Sequence, residues 1–230
     1  KMPSRLPVYS VKKGSDLDYV WSNILRYCDI SVDIIYQDNI NPNVGYRIYD
    51  SYNDYHFNET VLRDYETSVL VHSTTMENWI NIQHDRMLKS WNKLKSEKTD
   101  FENQPIGIQL GDPISFSDYI MFGGGVTGEI VVNSKQSGKI VMDIDAEYKT
   151  GARLYFDARK MAKDGLLIRD GAHIKVKDKL PLEPYLIYSA TWDKVGLSSQ
   201  TSTPKVFTEL ADNSFEEFKT ELKQKNDLVS

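Results

Sequence analysis

The sequence predicts an α+β fold built from short, mostly antiparallel strands. Between residues 60 and 193, strand-like runs follow one another with turn-forming residues between them and few helical patterns. Such a succession favours an antiparallel or mixed sheet over a doubly wound fold, in which helices alternate with strands. Apolar residues make up 40% of the 230 residues, which is enough to form a core. The predicted strands cover residues 69–72, 105–110, 114–117, 128–132, 139–145, 153–158, 165–169, 174–177 and 185–191.

Composition shifts along the chain predict three regions. Residues 1–60 form an irregular N-terminal extension packed on the core, with a helix at 16–28 and strands at 31–36 and 46–49. Residues 61–193 form the core, and residues 194–230 form a linker and a helix that Asn213 caps. Apolar Phe215, Phe218 and Leu222 share one face of that helix, so we expect it to dock on the core; binding of a partner is the less favoured alternative.

Charge and cysteine content narrow the classes of protein. The net charge of −5 provides no overall basic field for a nucleic acid backbone. Cys28 is the single cysteine, and no Cys/His cluster has zinc spacing, which agrees with a reducing, cytoplasmic location. No apolar run is long enough to cross a membrane, so we expect no membrane partner. Because no Cys/His cluster has zinc spacing, we also expect no metal site.

A strand that ends at His72 leads directly into a helix predicted at 76–83, and a second helix is predicted at 86–97. Thr74 and Glu77 have the spacing of a capping box, which satisfies backbone N–H groups of the first helical turn. A histidine beside a helix N-terminus suits the ribose and amide of a nucleotide. The alternative is a structural histidine at a strand end.

Two further segments follow this one. Gly123, Gly124 and Gly125 form neither a P-loop nor a dinucleotide fingerprint, because no Gly-Lys-Ser/Thr and no apolar helix is expected after them. They permit close approach to a ligand or a plain hairpin connection. In a strand at 114–117, the hydroxyls of Ser115 and Ser117 face one side beside Tyr119, which suits a ribose and a flat ring, or an edge strand in water.

A predicted hairpin turn at Asp170-Gly171 places Arg169, Asp170 and His173 at one rim. A cation and an imidazole at such a tip suit an anionic substrate, or are ordinary surface groups. Asp143 and Asp145 alternate along a predicted strand and are expected to face solvent rather than to bind a metal ion.

In their order along the chain, three segments resemble the ADP-ribosyltransferase fold, and especially its RNA 2′-phosphotransferase group. His72-Ser73-Thr74 with the following helix is similar to the family's His-Gly-Thr step, and Ile114-Ser115-Phe116-Ser117 is similar to its serine-bearing strand. The third segment comprises residues 138–146 and 151–156 with Leu180-Pro181-Leu182-Glu183-Pro184-Tyr185-Leu186, and its order is similar to the second half of the phosphotransferases. Ser73 replaces the family's glycine, and no glutamate stands at its usual place near Asp170.

The resemblance, which covers about residues 66–192, implies a split β-sheet core with a few flanking helices and NAD as a substrate. It implies transfer of ADP-ribose to a macromolecular acceptor, a nucleic acid or a protein, with release of nicotinamide. The alternatives are an RNA 2′-phosphotransferase and a catalytically degenerate nucleotide- or protein-binding module. The implied ribose and nicotinamide contacts are His72, Ser73, Thr74, Ser115, Ser117 and Tyr119, and the implied catalytic groups are His72 with Asp170 or His173.

Overall fold

A computed structural model describes residues 61–62, 68–97, 105, 114–170 and 173–227, without the side chains of residues 115, 169, 170, 226 and 227. The elements predicted at 16–28, 31–36 and 46–49, and all but the first residue of 105–110, lie outside the described residues. The chain divides into two compact units. One comprises Lys1–Glu66 and Leu167–Ile174, and the other Thr67–Leu166 and Lys175–Ser230.

The described residues form ten short strands, five α-helices and one 3-10 helix, the latter at Ile114–Asp118. The pairs that the structure defines are antiparallel, so the expected α+β class is confirmed at this level. The strands are β1 Val69–Thr74, β2 Met87–Lys89, β3 Tyr119–Met121, β4 Tyr148–Lys149, β5 Ala152–Asp157, β6 Leu167–Asp170, β7 His173–Lys177, β8 Lys179–Pro181, β9 Leu186–Ala190 and β10 Thr201–Ser202. The helices are α1 Met76–Asp85, α2 Trp91–Glu97, α3 Thr127–Ser137, α4 Ala158–Lys163 and α5 Pro204–Asp227.

The main sheet of the larger unit has the order β1-β5-β9. Its central strand β5 is almost completely buried, and the buried residues include the charged Arg153. In the register of β1 with β5, His72 lies opposite Leu154 and Ser73 opposite Arg153. Because paired residues of antiparallel strands share a face and neighbours alternate, His72 and Ser73 point to opposite faces of this sheet.

Helix α5 packs on the main sheet through Ala211 and Phe215, whose ring stacks on that of Tyr155 at 4.3 Å between centroids. The expected docking is therefore confirmed, although Leu222 is 40% exposed. The predicted start at Asn213 is wrong, because Thr203 begins the helix with its side chain accepting from Val206 N–H. Asn213 is an interior residue of α5.

The helix predicted at 86–97 is broken at its start. Arg86 has a left-handed backbone with φ 51° and ends α1, and β2 then pairs with β8. Ser90 begins α2, since its hydroxyl accepts from Lys93 N–H. A basic, partly apolar run therefore contains a strand that helical spacing alone did not indicate.

Three predicted strands are wrong. Residues 114–117 form the 3-10 helix, so the alternation expected of Ser115 and Ser117 does not apply. Residues 128–132 lie in α3, which ends at Gly138 with φ 65°. Residues 139–145 pair with no strand in the described chain, because Val141 bonds instead to the side chain of Ser134.

Candidate functional site

His72 is fixed on β1 by a main-chain contact from the end of β3. Its Nδ1 lies 2.9 Å from the carbonyl oxygen of Met121, and Gly123 N–H donates to Val71 O alongside. A carbonyl oxygen only accepts, so Nδ1 carries the proton and donates. The ring also meets the edge of Phe122 at 6.3 Å between centroids. The segment after β3 therefore continues along the free edge of β1 and orients the imidazole.

The pKa of His72 lies below its usual value, chiefly because burial disfavours the imidazolium; the bond to Met121 partly opposes this effect. At neutral pH the ring is therefore uncharged, with Nε2 as a hydrogen-bond acceptor. Among the described residues, Nε2 has no hydrogen-bond partner. The half-buried ring can accept one hydrogen bond from a ligand hydroxyl or N–H group.

Ser73 faces the other way and contacts a buried carboxylate. Its hydroxyl donates to Glu129 Oε1 at 2.6 Å, and the hydroxyl of Tyr148 donates to Glu129 Oε2 at 2.6 Å. Glu129 belongs to the first turn of α3 and is fully buried. The helix approaches β1 closely because Gly128 has no side chain: a Cβ there would lie 2.5 Å from Ser73 Oγ. Ser73 is thus a contact of α3, and the expected role of its hydroxyl at a ligand is not supported.

Arg153 lies beside this carboxylate and joins it to α5. Its Nη1 is 3.7 Å from Glu129 Oε1, and its Nε donates to Asp212 Oδ1 at 3.0 Å. Tyr155 also donates to Asp212 Oδ1, at 2.7 Å. One buried guanidinium therefore connects two carboxylates from different helices. We call Ser73, Glu129, Tyr148, Arg153, Tyr155 and Asp212 the charged network.

Burial sets the protonation preferences of the charged network. It raises the pKa of Glu129, and Asp212 raises it further, against the opposing effects of Ser73, Tyr148 and Arg153. Burial also raises the pKa of Tyr148, which keeps its hydroxyl protonated and donating. The six side chains hold one another, and sequence patterns did not indicate the charged network because its members are far apart along the chain.

Thr74 is buried, and the cap of α1 is the next residue. Thr75 Oγ1 accepts from Asn78 N–H at 3.2 Å, so the predicted capping box of Thr74 and Glu77 is wrong by one position. Gly151 packs directly under this turn, where a Cβ would overlap the carbonyl oxygen of Thr74. The turn after β1 is thus fixed by a cap and by a backbone-to-backbone contact.

The glycine-rich segment does lead into a helix, contrary to expectation. Residues 122–126 connect β3 to α3, and Thr127 N–H donates to Gly124 O. A Cβ on Gly124 or Gly125 would meet nothing within 4 Å. The chain at Gly124 and Gly125 therefore borders open space.

Ser117 and Tyr119 lie just before and at the start of β3, the strand that ends at the His72 contact. Lys175 of β7 places its Nζ 4.1 Å from the ring centroid of Tyr119 and 4.1 Å from that of Phe116. One face of Tyr119 is therefore occupied by an ammonium group. Ser117 Oγ is buried, and the described residues offer it no hydrogen-bond partner. Ser115 lies in the 3-10 helix, with its side chain outside the described part.

Asp170 and His173 belong to the smaller unit. They stand at the end of β6 and the start of β7, on either side of residues 171 and 172. β6 and β7 are neighbours in one sheet, as the predicted hairpin requires, but turn residues 171 and 172 lie outside the described part of the chain, and a part in catalysis for Asp170 or His173 stays a prediction. The side chains of Arg169 and Asp170 lie outside the description.

Three basic side chains of the larger unit that could bind the phosphate of an RNA 2′-phosphate substrate already contact carboxylates. Arg86 pairs with Glu183 at 2.7 Å, and Lys89 with Asp85 and Glu97 at 2.9 and 2.7 Å. Arg153 is held inside the charged network. A phosphate site built from these cations has no support among the described residues.

A concavity of about 340 Å³ lies in the larger unit, and none of the predicted site residues lines it. The described residues hold no group of three or more His, Cys, Asp or Glu side chains arranged to bind a metal ion. Within the same residues, no helix combines the length and the apolar character needed to cross a membrane. The lining of the concavity is Trp79, Gln83, Arg86, Leu182, Glu183, Leu186 and Ser189.

Comparison with protein-family models, curated proteins and solved structures found no match to this chain. Its function has to be argued from its own residues.

Proposed function

We propose that this protein binds NAD and transfers ADP-ribose from it to a macromolecular acceptor, a nucleic acid or a protein. The observation that carries the proposal is the fixed tautomer of His72, whose Nδ1 donates to Met121 O and whose Nε2 is left as an acceptor. Nε2 then accepts from a hydroxyl of the nicotinamide ribose. Orienting the ribose in this way favours attack at its C1′, and positioning of this kind can supply much of a rate enhancement.

The reaction breaks the bond between C1′ and the nicotinamide nitrogen and forms a bond from C1′ to an acceptor oxygen or nitrogen. The bonding pair leaves with nicotinamide, and the acceptor loses a proton. The electrostatic part of the mechanism is stabilisation of the positive charge that develops on the ribose.

The chain around His72 supports this assignment. Gly124 and Gly125 border open space in the connection that follows the Met121 contact, and Ser117 supplies a buried hydroxyl two residues before β3 begins. The position of Thr74 is fixed because the backbone of Gly151 packs directly against its carbonyl group. The occupied face of Tyr119 restricts stacking of the cationic nicotinamide ring to its other face.

The test is release of nicotinamide from labelled NAD by the purified protein, with RNA, DNA or protein as acceptor. His72→Ala should weaken NAD binding about tenfold, because one hydrogen bond of about 1 kcal/mol or slightly more is lost. His84→Ala is the matched control, since His84 is exposed and bonds only to Asp85. Absence of both NAD binding and nicotinamide release in the wild type would refute the proposal.

A catalytically degenerate module is the second candidate, and the ammonium of Lys175 on Tyr119 favours it, since it opposes a cationic ring at that face. Such a module would be stabilised by NAD or ADP-ribose in a thermal-shift measurement without releasing nicotinamide. An RNA 2′-phosphotransferase would instead act on RNA that carries an internal 2′-phosphate.

A further inference from the structure

The chain between α3 and β4 contains a segment without regular secondary structure, one edge of which has no main-chain partner among the described residues. We call residues 139–143 the open-edge segment; its sequence is Lys139-Ile140-Val141-Met142-Asp143. Val141 N–H donates to Ser134 Oγ at 3.0 Å, and the same hydroxyl donates to Val141 O at 3.4 Å. Both main-chain groups of Val141 therefore point to the same side, as they do in a β-strand.

The neighbouring residues have their main-chain groups on the other side. In a strand, N–H and C=O groups alternate between the two edges, so those of Ile140 and Met142 point away from α3. Within the described chain, neither residue has a main-chain hydrogen-bond partner. The edge ends at Ile144, whose carbonyl accepts from Lys205 N–H.

The side chains on this edge are apolar and exposed. Ile140 is 44% exposed and Met142 is 61% exposed. Unpaired strand edges with exposed apolar side chains are templates for pairing with another chain. Two charged residues flank them, Lys139 and Asp143, and both are exposed.

We propose that the open-edge segment pairs with the same segment of a second copy of this chain, antiparallel and about a two-fold axis. With Val141 opposite Val141, Lys139 of each copy lies opposite Asp143 of the other, and Ile140 lies opposite Met142. Opposite charges and apolar pairs across strands both stabilise such pairing. The same register makes the outward N–H and C=O groups of Ile140 and Met142 meet as hydrogen-bonded pairs.

The charge pattern selects a second copy as the partner. A two-fold axis requires one surface to be complementary to itself, and Lys139 and Asp143 are placed symmetrically about Val141. Both charged pairs therefore form at once. Five residues a side bury little area, so the dimer depends on protein concentration.

Sedimentation of the full chain over a range of concentrations tests the dimer. The wild type should dimerise reversibly, and Met142→Lys should be monomeric. Ile80→Lys is the matched control, since Ile80 is an exposed apolar residue of α1, and it should dimerise like the wild type. A monomeric wild type at every concentration, an open-ended assembly, or a dimer that Met142→Lys leaves intact would overturn the proposal.

Charge exchange tests the register. Lys139→Asp places carboxylates opposite Asp143 in two places and should weaken dimerisation about tenfold. The double variant Lys139→Asp/Asp143→Lys restores opposite charges and should regain the dimer. Failure of the double variant to recover, with its thermal unfolding unchanged, would show that the register is wrong.

A cross-link tests the axis. In a Cys28→Ser background, Val141→Cys should form an intermolecular disulfide on oxidation, because a non-hydrogen-bonded pair places the two Cα atoms about 4.5 Å apart. Ile140→Cys is the control, since its opposite residue is Met142. Cross-linking of the control as fast as Val141→Cys would contradict the two-fold register.

Discussion

The two faces of the β1-β5-β9 sheet satisfy their polar groups in different ways. On one face His72 makes a single hydrogen bond to Met121 and keeps Nε2 available. On the other face the neighbouring Ser73 bonds to Glu129 within the charged network. Adjacent residues of one strand thus serve two purposes, because side chains alternate across a sheet. The charged network ties the Ser73 face to two helices, whereas on the His72 face, where Leu154 and Phe156 are fully buried, one ring nitrogen of His72 keeps its acceptor capacity.

The largest expected effect on the free energy of unfolding comes from removing the guanidinium of Arg153 from the charged network. Arg153→Met leaves Glu129 and Asp212 without their shared cation, and removal of one partner from a buried pair costs about 3–5 kcal/mol. Urea unfolding of the variant measures the loss. Arg86→Met is the control, because its pair with Glu183 is exposed and should contribute little. Equal losses in the two variants would show that the charged network does not hold the sheet.

Gly128→Ala should have the next largest effect. Its Cβ would lie 2.5 Å from Ser73 Oγ, and such overpacking costs about 1–3 kcal/mol. Gly124→Ala, whose Cβ would meet nothing within 4 Å, should be nearly neutral. In a double-mutant cycle, Ser73→Gly should lose less stability when Gly128→Ala is also present. Strict additivity would contradict direct contact between α3 and β1.

The stability of the fold should respond to acid through the buried ring of His72. Its pKa is lowered in the folded protein, so below about pH 6.5 the unfolded chain binds a proton that the folded chain does not. The free energy of unfolding should therefore fall as the pH drops from this value towards the folded pKa. His72→Gln should remove that part of the pH dependence, and His84→Gln should keep it. An unchanged slope in His72→Gln would contradict the burial of a neutral ring.

Ser117→Ala should change stability least. Its Oγ is buried without a hydrogen-bond partner among the described residues, so its removal abolishes no bond and relieves an unsatisfied group. Ser90→Ala should instead cost about 1 kcal/mol, because Ser90 caps α2. If Ser117 contacts NAD, the affinity for NAD should fall in Ser117→Ala although the free energy of unfolding is unchanged. A stability loss equal to that of Ser90→Ala would assign it to the core.

Sequence patterns predicted the strands that pair within the larger unit better than the segments around the site. The runs that became β1, β5 and β9 contain β-branched or aromatic residues and lie between turn formers, so all three strands were predicted, although β1 continues to Thr74 instead of ending at His72. Ile130, Val131 and Val132 have the same composition yet lie in α3. A short apolar run fits both structures, and tertiary packing decides between them.

Two sequence signals could have found α3. Gly138 follows the run at the distance of a helix C-cap, and Gly123 to Gly125 precede it as a connection. The charged network had no such signal, since a buried Glu129 is recognised only by its partners in space. His72 could be singled out as a candidate binding residue because its strand and the next helix are adjacent in sequence.

The substitutions tolerated at position 128 and at position 151 should differ among homologous sequences. The neighbour that excludes a side chain at Gly128 is the side chain of Ser73, so the two positions can change together. At Gly151 the neighbour is the carbonyl of Thr74, which every amino acid carries. We therefore expect covariation of positions 73 and 128, with larger residues at one accompanying glycine at the other. Position 151 should be glycine in every sequence that folds this way, which makes it a marker for aligning distant members.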